Sequence, residues 1–402
     1  MKNNNIKTIG DLCTACSACK SMCPTGAIEF KENIEGFMYP FINETKCINC
    51  GLCKKVCPLL NIKELKNNQF KKKYYAFCTK NNDIWKKSTS GGAFSEICHI
   101  VEEKNTNTKT YIYGCTMSKI DAYHIECDYE NIYKLRKSKY IQSDINNCYQ
   151  SIKKRLIEKS IVIFVGTPCQ VAGLKSYLRK GYENLILIDF ICHGVSNKKI
   201  LKKCLEFLEN KFNKKITSYD FRYKDKFFTT SERYKVKYNF EDGGFKTSNN
   251  DLFMKLYLKE LVLRKSCGDN CKFRDYNRCS DITLADFNNK SMILPKLYDR
   301  RNYSTVICNT QKGELIINEL KKHGNFISCD EIDIKKYNPL FYSNTSNSSQ
   351  KHINIFDNEN ILNEFANKSN KNKFNIQKYV PYIILYLGNR FINFFKKRGK
   401  NT

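Results

Sequence analysis

Two short runs of the chain concentrate thiols at a spacing that serves one kind of chemistry. Leu12 to Phe30 reads LCTACSACKSMCPTGAIEF, with Cys13, Cys16, Cys19 and Cys23 followed by Pro24. A second copy, CINCGLCKKVCP, carries Cys47, Cys50, Cys53 and Cys57 before Pro58. In a CxxCxxCxxxCP run three thiolates share one tight loop around an iron–sulfur cluster while the fourth ligates a neighbouring cluster, so the motif works in pairs. By that crossed logic Cys13, Cys16, Cys19 and Cys57 hold one [4Fe-4S] cluster, and Cys47, Cys50, Cys53 and Cys23 the other. Pro24 and Pro58 turn the chain so that the fourth thiolate points across. Tetrahedral zinc needs four thiolates but not the triple-plus-proline pattern, and eight free thiols so close would be exposed to oxidation.

Paired clusters carry single electrons and select no substrate, so the chemistry falls to the rest of the chain. Three segments there end in glycine-rich or cysteine-bearing turns: KKSTSGGAFSEICHIV (Lys86 to Val101), FVGTPCQVAGLK (Phe164 to Lys175) and DFICHGVS (Asp189 to Ser196). In the first, Ser88 to Gly92 precede an apolar-periodic helix and would present backbone N–H groups and a helix dipole to a phosphate. A capped helix without a ligand would read the same way.

The elements that must position these turns alternate in type. IVIFVGTPCQVAGLKSYLRK reads as strand, turn and helix, and NLILIDFICHGVS as a buried strand ending in a loop. The fold class is therefore an α+β ferredoxin-like 2[4Fe-4S] module over residues 1–62, followed by an α/β body over 74–340 with a mixed, partly parallel sheet. The tract Asn61 to Lys73 between them reads as a charged linker. Serine and asparagine dominate 341–375, a polar linker by composition. Residues 376–402 are apolar and then basic, a helix that either docks on the body or lies on a membrane surface.

The whole chain has 402 residues, 41% of them hydrophobic and 13% aromatic, which argues against disorder as its general state. Twenty-one cysteines in a small secreted protein would mean disulfides; here the start, MKNNNIKTIG, has no secretory pattern, so thiols that bind metal and a cytoplasmic location are expected. No run approaches 18 apolar residues. The net charge is +29, from 69 Lys and Arg against 40 Asp and Glu. The lysines are spread along the chain instead of forming a stripe, so no nucleic-acid partner is expected, whereas an acidic electron carrier would suit the charge.

The segments RKSKYIQSDI (Arg136 to Ile145), GTPCQVAGLKSYL, NLILIDFICHGVS, FRYKDK and LRKSCGDNCKFRDYNRCSDITLADF resemble, in order and spacing, the coenzyme F420 hydrogenase/dehydrogenase beta-subunit family, in the branch fused to a 2[4Fe-4S] domain. That resemblance implies a flavin-binding body with FAD, a further cluster beside it, and a small-molecule hydride donor or acceptor. Carried over by motif, flavin contacts fall on Ser88, Thr89, Ser90, Gly91 and Gly92, on Ser138, Lys139, Tyr140 and Gln142, and on Gly166, Thr167, Pro168 and Gln170. Lys139 and His193 take the catalytic positions, with Lys139 near a phosphate or the flavin N1–C2=O region; a solvated charge at a strand end is its plainer reading. A third [4Fe-4S] cluster falls to Cys169, Cys192, Cys267 and Cys271, with Cys279 as the substitute; zinc or simple packing is the alternative. The chain departs from the pattern at Ala285 to Asn289, ADFNN for GDFWG, and has CxxxC at Cys267 and Cys271 for CxxC. The implied function is an iron–sulfur flavoprotein oxidoreductase that exchanges electrons with a ferredoxin-type carrier or a redox partner subunit. The alternative is a non-catalytic electron-transfer subunit that bridges an enzyme and its carrier.

Overall fold

The computed structural model describes residues 5–65, 70–224, 234–268, 271–274, 277–287, 301–338, 362, 363, 365 and 366. The expected C-terminal helix lies outside them, as does most of the expected polar linker. No helix among the described residues is long and apolar enough to cross a membrane.

The N-terminal module is built on a hairpin, β1 (Ile28–Glu32) with β2 (Met38–Ile42), and short helices α1 (Ala18–Met22) and α2 (Leu52–Lys55). Each cysteine loop bends through left-handed residues at matching places: Ala15 (φ 50°) and Ser17 (66°) in the first, Asn49 (53°) and Gly51 (73°) in the second. The two runs thus repeat in backbone as well as in sequence. Non-glycine residues at positive φ cost of order 1–3 kcal/mol each and persist only where their surroundings over-determine them.

The body centres on an eight-stranded sheet of order β13-β3-β12-β11-β7-β6-β4-β5. Its strands are β3 (Lys73–Thr79), β4 (Thr110–Ser118), β5 (Asp121–Cys127), β6 (Ile161–Val165), β7 (Leu185–Phe190), β11 (Ile282–Asp286), β12 (Ser304–Cys308) and β13 (Gly324–Cys329). A smaller antiparallel sheet joins β8 (Ile216–Asp220), β9 (Val236–Phe240) and β10 (Phe245–Ser248). Strands β4, β6, β7 and β11 pair in parallel, and β3 runs the same way because β12 is antiparallel to both β11 and β3. The carboxyl ends of five strands therefore share one edge, the side on which open α/β sheets bind ligands.

Both faces of the sheet are apolar, so β6 and β7 read as unbroken hydrophobic runs. Val162, Phe164, Leu185 and Leu187 face helices α6 (Cys148–Ile157) and α7 (Pro168–Leu178), whereas Ile163, Ile186 and Ile188 face α5 (Ala93–Lys104) and α10 (Gln311–Leu320). Of the intervening helices, α3 spans Ile62–Leu65, α4 Asn82–Lys87, α8 Lys198–Phe212 and α9 Leu252–Leu258.

Module and body belong to one compact unit. Cys16, Ala18, Val56 and Leu65 are buried in the same apolar cluster as α6 and α7. The tract expected as a charged linker is accordingly structured at both ends: α3 occupies 62–65, with Leu65 O accepting from Lys175 Nζ at 2.9 Å, and Lys73 opens β3. Its charge pattern hid one apolar side chain that the body covers.

Candidate metal centres

Arg264 is the main polar tie between module and body, and it is fully buried. Its guanidinium donates from Nε to Cys13 O (2.7 Å), from Nη1 to Gln142 Oε1 (3.0 Å) and from Nη2 to Met38 O (2.9 Å), and lies 4.2 Å from the Tyr39 ring centroid. Ser266 Oγ also donates to Cys13 O, and Gln142 Nε2 to Thr14 O. Sequence reading missed this residue, whose only signal was a basic side chain three positions before Cys267 in a chain rich in lysine.

Around these ties the structure gathers the predicted cysteines into three groups. Cys16 is raised well above the ordinary thiol range by burial and by its neighbours Cys19, Cys13 and Cys57; Cys19 is raised by burial, Cys13 and Cys57. The three thiols of the first loop thus meet Cys57 from the second run. Conversely Cys23, from the first run, lines one cavity with Cys47, Cys50 and Cys53. The groups adjoin, since Cys53 is a neighbour of both Cys19 and Cys57. Burial tends to raise Cys23 too, but hydrogen bonds from the Thr25 side chain and from the backbone N–H groups of Ala27, Thr25 and Ile28 outweigh it and hold the thiol below its usual value.

The third group comes from three distant segments. Cys169 stands in the first turn of α7, where Thr167 and Gln170 form a capping box and Pro168 starts the helix. Cys192 follows β7, the strand beside β6, and Cys267 and Cys271 follow α9. Burial lifts Cys192 to about 12, with Cys169 and Cys271 adding to it. Burial also lifts Cys169 to about 11, with Cys271 adding, and raises Cys267, with Cys192, Cys271 and Cys169 adding. Every pair in the quartet is therefore within electrostatic reach. Cys279 is buried in the apolar cluster beneath α6 and α7.

Four clustered thiolates repel one another in a buried site, so their ionised form requires a cation among them. A zinc tetrahedron would hold its sulfurs about 3.8 Å apart, from Zn–S bonds of about 2.3 Å. Among the described residues the one group of three or more His, Cys, Asp or Glu ligand atoms mutually within 4.8 Å is Glu96, His99 and His323. The cysteine quartets offer only thiolates, a donor set common to zinc sites and iron–sulfur clusters.

The last quartet touches the first. The Thr14 side chain, between Cys13 and Cys16, lies beside Cys169 Sγ and offsets part of the rise that burial causes. Tyr149, whose hydroxyl donates to Gln170 O at 2.7 Å, has Cys16, Cys169, Cys148 and Cys19 around it.

The predicted flavin residues lie along the carboxyl edge. Ser88–Gly92 and Gly166–Gln170 stand on that common edge, with β12, β11 and β7 between β3 and β6, four strand spacings or about 19 Å. The segment 138–143 bridges that span. Ser138 Oγ reaches Thr89 Oγ1 (3.4 Å) at one end, and Gln142 meets Thr14 while Ser143 Oγ accepts from Gln170 Nε2 (2.9 Å) at the other. Tyr140 packs its ring 4.8 Å from that of Tyr257.

Three residues are engaged in ways the motif did not foretell. The Lys139 ammonium donates to Cys115 O (2.8 Å), Leu135 O (3.0 Å) and Arg136 O (2.7 Å), and burial lowers it to about 8. Two of these bonds close the 135–139 turn, and the third ties it to β4. At Gly91 a Cβ would stand 2.1 Å from Phe77 O and 2.5 Å from Ser304 N, so backbone packing alone requires glycine. His193 lies against Tyr257 and is lowered to about 4 by burial and by Arg274, whose Nη2 donates to His193 O.

Two further cations belong to this edge and were not foreseen. Lys224 Nζ donates to Ser90 O (3.1 Å) and Trp85 O (2.9 Å), and buried Arg222 pairs with Asp286 at 2.6 Å. The ADFNN departure is described only as far as Phe287. Of the cysteines without an assigned role, Cys78, Cys98, Cys127, Cys148, Cys204 and Cys308 are buried and Cys115 and Cys329 half-buried.

Residues 12–60 match the family model of the 4Fe-4S dicluster domain, and residues 160–333 that of the C terminus of the coenzyme F420 hydrogenase/dehydrogenase beta subunit. Ser88–Gly92 and Ser138–Gln142 fall between the matched spans. No curated protein matches the chain. A solved structure described as a xenon derivatization of the F420-reducing [NiFe] hydrogenase complex from Methanosarcina barkeri aligns at 15% identity, with a TM-score of 0.43, over 67% of this chain and 87% of that one.

Proposed function

We propose that this chain, which joins a 4Fe-4S dicluster domain to the C-terminal domain of the coenzyme F420 hydrogenase/dehydrogenase beta-subunit family, is an iron–sulfur flavoprotein oxidoreductase working between a one-electron carrier protein and a small hydride donor or acceptor. The observation that carries the proposal is the unbroken succession of three four-cysteine groups, from exposed Cys50 to the carboxyl edge of the sheet. Crossed sets of Cys13, Cys16, Cys19 and Cys57, and of Cys23, Cys47, Cys50 and Cys53, would hold two [4Fe-4S] clusters, and Cys169, Cys192, Cys267 and Cys271 a third. Ser88–Gly92, Ser138, Tyr140, Gln142 and Gly166–Gln170 would hold FAD on the same edge. When bound, the clusters supply one-electron carriers and the flavin an exchange between hydride and single electrons.

The chain's own residues do the positioning. Arg264 and Gln142 hold the first cysteine loop against the segment 138–143, and Thr14 lies beside Cys169. Lys139 orders the 135–139 turn from beneath. Tyr257 and Arg274 fix the loop of Cys192 and His193, and the exposed lysines of the chain favour an acidic carrier.

Anaerobic purification with iron, sulfide and flavin analysis tests the assignment. About twelve iron atoms per chain are expected, falling by about four in Cys192→Ala. Iron near eight with no change in Cys192→Ala would remove the third cluster. Clusters without released flavin would leave the bridging subunit as the function.

A further inference from the structure

Glu96 and His99 stand three residues apart on α5, so both side chains leave the same face of that helix. The turn Lys321–His323, between α10 and the edge strand β13, brings His323 to them. One ligand atom from each lies within 4.8 Å of the other two. Glu96 Oε2 is 3.6 Å from His323 Nδ1, close to the separation of about 3.3–3.4 Å for nitrogen and oxygen ligands 2.0–2.1 Å from a tetrahedral ion. The imidazole rings of His99 and His323 lie 5.8 Å apart.

The carboxylate is oriented from behind. Its other oxygen, Oε1, accepts from Thr79 Oγ1, and Thr79 is fully buried at the end of β3, its hydroxyl accepting from Asn81 N at 2.9 Å. Such outer partners characterise built metal sites, because they fix which oxygen faces the ion. Lys80 N donates to His323 O at 3.1 Å and sets the turn that carries the imidazole. Glu96 is only 3% exposed while the His323 side chain retains 27%, so the group has a dry floor and an open mouth through which water can complete the coordination.

We propose that Glu96, His99 and His323 bind a divalent first-row transition ion, for which zinc(II) is the fitting probe, at a site separate from the cysteine centres. Two imidazoles and one carboxylate with an open fourth position suit zinc and its neighbours in the series and not calcium or magnesium, which take oxygen ligands. The ion ties α5 to the β3–β13 edge. A simple Glu96–His323 ion pair would leave His99 without influence on metal binding.

The test uses the full chain with its clusters intact. The protein is equilibrated anaerobically with zinc chloride, desalted, and analysed for zinc and iron together. Wild type should retain about one zinc per chain at unchanged iron, with an absorption fine structure showing two imidazoles. His99→Ala and His323→Ala should each lose that zinc and the zinc-dependent rise in melting temperature. Glu96→Gln, which can keep the Thr79 contact, should bind about tenfold or more weakly. Absence of zinc in wild type, its retention in either histidine variant, or its uptake only at the expense of iron would overturn the proposal.

Discussion

Replacing Arg264 by alanine tests how the module is held. The lost side chain is fully buried and makes three charge-assisted hydrogen bonds of 2.7, 3.0 and 2.9 Å. Each such bond contributes roughly 1.5–3 kcal/mol, a gross total of about 5–9 kcal/mol. Against this stands the cost of burying a guanidinium, several kcal/mol, so the net loss on deletion is about 3–5 kcal/mol. Two of the three acceptors, Cys13 O and Met38 O, belong to the module, and the third, Gln142, itself donates to Thr14 O. The loss therefore falls on docking and not on the body's sheet. Native-state hydrogen exchange should show 10–20, 36–42 and 140–144 deprotected in Arg264→Ala, while β6 and β7 keep their protection. Arg264→Lys should fall between the two, because an ammonium on a flexible stem cannot reproduce the fork. Protection of those three segments within about 1 kcal/mol of wild type would refute the argument that this residue joins the halves.

His124 is 2% exposed, stacks on Phe164 and is lowered to about 4 by burial, only partly offset by its contact with Val165 O. Between its ordinary 6.5 and 4 the unfolded chain binds a proton that the folded chain refuses, so stability present above pH 6.5 is lost as pH falls, by up to about 3 kcal/mol. His124→Gln should denature at a lower pH than wild type, and an unchanged acid midpoint would count against this. At Gly173 a Cβ would lie 2.9 Å from Tyr149 Oη and 3.0 Å from Cys16 Cβ. Gly173→Val should free the module to protease after Asn61 while the body's circular dichroism stays as it was; a module as resistant as wild type would show that α7 does not seat it.

How much of this was legible depended on the range of each interaction. Three thiols of every CxxCxxC run lie on one loop, so their convergence is a local matter of spacing, and the strand–turn–helix around Cys169 announced itself through its apolar run, proline and capping residues. The fourth member of each N-terminal group comes from the other run, and pairing Cys57 with the first loop needs the module closed on itself. In the structure Cys57 lies near Cys16 and Cys19, and Cys23 lines a cavity with Cys47, Cys50 and Cys53.

Tertiary structure alone decided the rest. Cys169 and Cys192 meet because β6 and β7 are neighbours, whereas Ser88–Gly92 is parted from Gly166–Gln170 because β12 and β11 insert between β3 and β7, an order that no local pattern encodes. Glu96 and His99 carried a helical i,i+3 signal, but their partner His323 lies more than two hundred residues further on, in a turn with no pattern of its own. Arg264 was indistinguishable from the surrounding basic residues until burial set it apart. A cation's role is set by the carbonyls that replace its water, and those carbonyls come from wherever the chain folds back.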